Sequence, residues 1–138
     1  MKFSLTGALS AAQTQTKIDS FITSYQNFGF GKWAVILKES QTLIGYCGIA
    51  VESIDNQEEK ELGYRLDSKF WRQGLATEAA TAAIGYGFEQ FRFPYILGIV
   101  ERANTPSVRV LEKIGMQFQK TTLFSAIEMD LYRINAPT

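Results

Sequence analysis

Histidine is absent from this 138-residue chain, which removes the commonest general base, every Ser-His triad and every His-containing metal site. Cysteine occurs once, at Cys47, so internal disulfides and Cys-rich zinc sites are excluded. That thiol sits in the apolar run Leu43 to Val51, where it reads as a small buried side chain rather than a nucleophile. Net charge is missing too. Lys plus Arg and Asp plus Glu number 14 each, leaving no global basic excess to neutralise nucleic-acid phosphates. No apolar run approaches the length of a membrane span. Met1 to Ala12 has the outline of a signal peptide in Lys2, Phe3, Leu5 and Leu9, but Ser4, Thr6 and Gly7 break a stretch already short for one. These absences lead us to expect a cytoplasmic protein without metal, membrane or nucleic-acid partners.

What is present describes one folded domain spanning residues 1–138. The composition is 46% hydrophobic and 20% charged, enough apolar surface to build a core. Ile18, Phe21, Ile22, Tyr25 and Phe28 recur at helical spacing and predict an amphipathic helix over Thr14 to Phe28, ended by Gly29 and Gly31. Trp33 to Lys38 and Leu43 to Val51 read as strands about a polar turn. The acidic stretch Asp55 to Glu59 reads as a loop, and Glu61 to Leu66 as a third strand. Ala80, Ile84, Phe88 and Phe91 then mark one face of a helix from Leu75 to Phe91, stopped by Pro94. Gly85 and Gly87 each cost that helix about 1 kcal/mol relative to Ala, which suggests close packing on a sheet. A strand over Tyr95 to Val100 follows. A short helix then opens at Thr105-Pro106, with Thr105 as N-cap, and ends at Gly115. Gln117 to Phe124 and the alternating Ile127 to Leu131 form a last antiparallel pair. The order predicts an α+β domain with a mixed sheet.

Chemistry concentrates in Glu61 to Glu78. A loop containing Gly74 enters a helix N-terminus, where free N–H groups and the helix dipole favour an anion. Arg65, Lys69 and Arg72 precede that helix against Asp67 alone. Taken by itself the segment is either a pyrophosphate cradle or an ordinary charged strand-to-helix turn. The P-loop pattern Gly-x-x-x-x-Gly-Lys-Ser/Thr and the dinucleotide pattern Gly-x-Gly-x-x-Gly are both missing. Downstream, Asn104 to Met116 contains Ser107, Arg109, Glu112 and Lys113, and by itself is no more than a capped amphipathic helix.

Together, the two segments resemble the GCN5-related N-acetyltransferase superfamily, and more narrowly its ribosomal-protein alanine acetyltransferase branch. The matching motifs are Glu61-Leu62-Gly63-Tyr64, then Trp71-Arg72-Gln73-Gly74-Leu75-Ala76-Thr77-Glu78, then Asn104 to Gly115. The resemblance extends from about Leu5 to Arg133. It implies a mostly antiparallel twisted sheet flanked by helices. It also implies acetyl-CoA as cosubstrate and a primary amine as acceptor, either a peptide N-terminus or a small molecule.

By resemblance, the backbone N–H groups of Gln73 to Thr77 hold the pyrophosphate, with Gly74 and Ala76 small enough to admit it. Trp71 and Arg72 open that loop. Tyr64 and Leu66 offer backbone groups to pantetheine, and Asn104 and Ser107 lie where the third and fourth strands splay around it. Arg109 and Lys113 either reach the adenosine phosphates or are solvated helix charges.

Without histidine, Glu61 is the candidate base, an ion pair with an arginine being its alternative role. By the same resemblance, many relatives carry a tyrosine acid where this chain has Leu111. Ser107 is then the remaining donor to the leaving thiolate, or it only binds the cofactor. A non-catalytic CoA-binding module is the competing function. Family members usually begin with a further strand and helix that this chain starts too late to contain. An open edge at Trp33 to Lys38 is therefore expected, and with it a homodimer and loose acceptor selectivity, unless Met1 to Leu9 covers that edge.

Overall fold

The protein is described from a computed structural model, which defines residues 11–137. The expectations for Met1 to Leu9 lie outside the described residues. Among the described residues, three α-helices and six strands follow in the order α1 (Ala11–Phe28), β1 (Lys32–Leu37), β2 (Thr42–Ile54), β3 (Gln57–Leu66), α2 (Leu75–Gln90), β4 (Tyr95–Val100), α3 (Thr105–Lys113), β5 (Gln117–Phe124) and β6 (Ile127–Asn135). The strands form one sheet in the order β1-β2-β3-β4-β6-β5. Every neighbouring pair is antiparallel except β3 and β4. This is the expected mixed α+β sheet. Among the described residues, no helix is long and apolar enough to cross a membrane.

Strand alternation sorts the side chains onto two faces. Cys47, Ile49, Leu62 and Ile96 pack with Ala80, Ala83 and Ile84 of α2 and Leu111 of α3. Ile49 and Ile96 are the largest fully buried side chains, each contributing about 1.5–3 kcal/mol through burial. The opposite face carries Tyr46, Glu59, Glu61, Gly63 and Arg65, and α1 lies against its edge, where Phe21 packs edge-on to Tyr46 at 5.0 Å. Among the described residues β1 is one of the two outer strands, with Ile36 and nearby Leu43 exposed.

Three sequence expectations need correction. Glu58 and Glu59 are not loop residues but pair with Ser53 and Glu52 in β3. The reversal is confined to Asp55 and Asn56, whose φ values of 51° and 65° suit the tight two-residue hairpin turns that Asp and Asn tolerate. Glu59 is buried and accepts a hydrogen bond from the Tyr95 phenol at 3.0 Å, so its charge no longer argues for a loop. The N-cap of α3 is Asn104, not Thr105: its side chain accepts from Ser107 N at 3.3 Å. Only Gly87 reflects close packing in α2. A Cβ there would stand 2.7 Å from Ile49 Cδ1, whereas one at Gly85 would meet nothing within 4 Å.

Candidate active site

The site begins where the sheet comes apart. Parallel β3 and β4 share only two rungs, Glu61 with Leu97 and Leu62 with Gly98. Past them, Gly63 to Leu66 stay paired with β2, while the ladder with β4 has ended. A cavity of about 950 Å³ opens there. Backbone lines its β3 wall, the kind of surface on which a ligand can pair as an added strand does.

The loop after β3 is held by its own side chains. Trp71 Nε1 donates to the Leu66 carbonyl at 2.9 Å, and Asp67 accepts from Lys69 N at 3.0 Å across a short 3₁₀ turn at Ser68–Phe70. Arg72 and Gly74 both take positive φ, 64° and 75°, as the chain swings into α2. Gly74 is the N-cap, and no side chain caps the helix. The first helical bond runs from Glu78 N to Gly74 O at 3.0 Å, so the N–H groups ahead of Glu78 have no carbonyl behind them. Around Gly74 the space is open, with nothing within 4 Å of a Cβ built there. Bare donors, the positive end of a helix dipole and free volume fit a pyrophosphate.

Ten of the residues singled out from the sequence border this one cavity: Glu61, Tyr64, Leu66, Trp71, Arg72, Gly74, Ala76, Thr77, Asn104 and Ser107. Gln73 and Leu75 are not in its wall. Gln73 is exposed and its side-chain amide donates to Lys69 O at 3.3 Å. Arg109 and Lys113 are exposed and edge the cavity from α3.

Glu61 and Tyr64 point to opposite faces of β3. Glu61 therefore approaches the split from the α1 side, and Ser107 from the α3 side. Tyr64, read from the sequence for its backbone alone, also contributes its phenol, which donates to Ser107 Oγ at 3.0 Å. Burial pushes the Tyr64 phenol up to about 12, with the Ser107 contact opposing part of that rise. The phenol is thus neutral at physiological pH, and its donation leaves the Ser107 proton free to be given elsewhere. Burial likewise raises Cys47 to about 12 against the nearby Lys32 charge, leaving the thiol protonated and unreactive. Lys32 also borders the cavity. No motif marks it, and the available signal was two glycines placed inside neighbouring strands.

Residues 1–117 match the family model described as Acetyltransferase (GNAT) domain. YkkB of Bacillus subtilis (strain 168) is 33% identical over 115 residues, covering 83% of this chain and 67% of YkkB. Across five of the curated relatives it matches, the chain spans 48% to 67% of their length. An acetyltransferase structure from Agrobacterium tumefaciens str. C58 superposes with a TM-score of 0.83 at 28% identity, covering 95% of this chain and 75% of that one. RimL, a ribosomal L7/L12 alpha-N-protein acetyltransferase solved with coenzyme A, shares the fold with a TM-score of 0.74 at 16% identity, over 92% of this chain and 73% of that one. The split sheet and the uncapped helix thus sit within a matched sequence that covers most of the chain, which belongs to the GNAT acetyltransferase domain family.

Proposed function

We propose that the domain transfers an acetyl group from acetyl-CoA to a primary amine. One observation carries this reading. The uncapped N-terminus of α2 and the stretch of β3 that diverges from β4 converge on a single cavity, with a carboxylate entering from one face and a hydroxyl from the other. The amides from Gln73 to Thr77 would hold the pyrophosphate, and the edge from Gly63 to Leu66 the pantetheine arm. Acetyl-CoA supplies an activated acetyl thioester.

The chain's own groups do the rest. Glu61 takes the proton that keeps an amine non-nucleophilic. Ser107 holds a hydroxyl proton for the departing sulfur, and Tyr64 donates behind it. Both assignments are part of the proposal. RimL, whose structure contains coenzyme A, supports the cosubstrate at the level of the shared fold. At 16% identity it carries the fold alone, so the ribosomal-protein branch stays a reading of the motifs.

Release of free CoA thiol in the presence of an amine panel tests the proposal. Acceptor-dependent release is expected. CoA binding without release for any amine identifies a non-catalytic CoA-binding module instead.

A further inference from the structure

Lys32 starts on β1, two strands from Glu61, yet its ammonium and that carboxylate both come close to Gly63. The register shows how. Lys32 stands opposite Gly48 on β2, and Gly48 stands opposite Gly63 on β3. Two glycines in line leave a bare lane across the sheet. A Cβ at Gly48 would run into the Gly31 carbonyl and come within 2.7 Å of Lys32 Cα. One at Gly63 would lie 2.8 Å from both Cε and Nζ of Lys32 and 3.6 Å from Glu61 Oε2. The ammonium and the carboxylate therefore flank one point above Gly63, the first residue of β3 beyond its last rung with β4.

Helix α1 anchors the arm at its origin. Tyr25 Oη donates to Lys32 O at 2.8 Å, and Ser24 Oγ donates to Phe30 O at 2.7 Å. Lys32 is half-buried, so its rotamer freedom is spent in reaching the cavity rather than in extending to water.

We propose that Lys32 receives an anionic group on the acceptor, and that the acceptors are small amines bearing a carboxylate near the amine, as free amino acids do. The proposal rests on the transfer chemistry above, with the amine at Glu61. A zwitterion then meets the site crosswise, ammonium to Glu61 and carboxylate to Lys32. A polyamine sets a second cation against Lys32, which like-charge repulsion disfavours. A peptide N-terminus brings a neutral amide to the same place. Arg65 and Glu52 also border the cavity, and a buried Glu59 farther along β3 is engaged by the Tyr95 phenol.

Two measurements test the anion site. In turnover, free amino acids are expected to exceed their matched amides in kcat/KM by roughly tenfold to a hundredfold, the worth of one charge-assisted hydrogen bond. Lys32→Met should bring that ratio toward one by raising KM for the amino acids, and Lys32→Arg should restore part of it. Amides or polyamines turned over as well as amino acids, or a ratio unchanged in Lys32→Met, would overturn the proposal. Independently of turnover, N-acetylglycine and N-acetylglycinamide are titrated into the CoA-saturated protein by NMR. The carboxylate probe alone should perturb the Gly48 and Gly63 amides, and Lys32→Met should abolish the effect. Equal perturbation by both probes, or by neither, overturns it. Carboxylate binding that depends on Lys32, combined with no acetyl transfer to any amine, would sink the transferase reading and leave the anion site standing.

Discussion

The Tyr64 phenol donates to the Ser107 hydroxyl at 3.0 Å, joining the end of β3 to the first turn of α3 across the cleft. On the proposed reading the pair supplies the proton that a tyrosine acid supplies in many members of the resembled family, where this chain has Leu111. If the two act as one unit, Ser107→Ala lowers kcat by roughly 10²-fold, and Tyr64→Phe by less. The double variant should then resemble Ser107→Ala alone, because neighbours that share one function are not additive. Steady-state kinetics on the three variants decides it: fully additive losses mean that the two residues act separately.

Glu61→Gln keeps the shape of the side chain and removes the base. Turnover at neutral pH should fall by about 10²- to 10⁴-fold while CoA affinity barely changes. A variant with near-normal turnover and an unaltered pH profile would show that the proton leaves by another route.

Gly74→Glu places a carboxylate where the structure leaves open space at the head of α2. It opposes an incoming phosphate and also strains a φ of 75°. Calorimetry should show CoA binding lost, with circular dichroism unchanged. Unchanged affinity would put the pyrophosphate somewhere else.

Gly85→Ala and Gly87→Ala separate propensity from packing within one helix. Gly85 has room for a methyl group, so Ala there should stabilise the protein by about 0.5–1 kcal/mol. At Gly87 the methyl would press on fully buried Ile49, and overpacking should cost about 1–3 kcal/mol. Urea unfolding of both variants measures the two signs.

Alkaline stability follows from Cys47, whose value rises from 9.0 to about 12 on burial. A folded value above the unfolded one means that the unfolded chain loses this proton first. The thiol's contribution is therefore complete below pH 9.0 and is lost as pH climbs toward about 12. Tyr64 adds a similar loss that begins from 10.0. Cys47→Ala should flatten stability against pH in that window, as read by urea unfolding at about pH 8 and about pH 11. Equal slopes in the two proteins would refute it.

Periodicity and motif carried much of this molecule. Ile18 to Phe28 marked α1, the alternation at Ile127 to Leu131 marked β6, and the Gly74 loop marked the head of α2. Register was not legible. Gly48 lay inside a predicted strand and Gly63 inside a motif, and only pairing set them side by side, so nothing in the sequence brought Lys32 and Glu61 to one point. Glu58 and Glu59 looked solvated because charge density was weighed without the Tyr95 partner that buries one of them. For Tyr64, a strand motif pointed to backbone, and only α3 packing brought Ser107 within reach of its phenol.

Two shared rungs make the sheet a pair of three-stranded plates on a narrow hinge, β1 to β3 on one side and β4, β6 and β5 on the other. On the proposed reading, the thioester arm lies along the joint like mortar, replacing the hydrogen bonds that a neighbouring strand would make. Occupancy and cohesion then rise together, since a ligand bound only to the folded state adds RT ln(1 + [L]/Kd) to its stability. On that reading, supply of the cosubstrate sets how firmly the plates are joined, and the protein's resistance to proteolysis should rise with CoA as well as with acetyl-CoA, because both carry the arm.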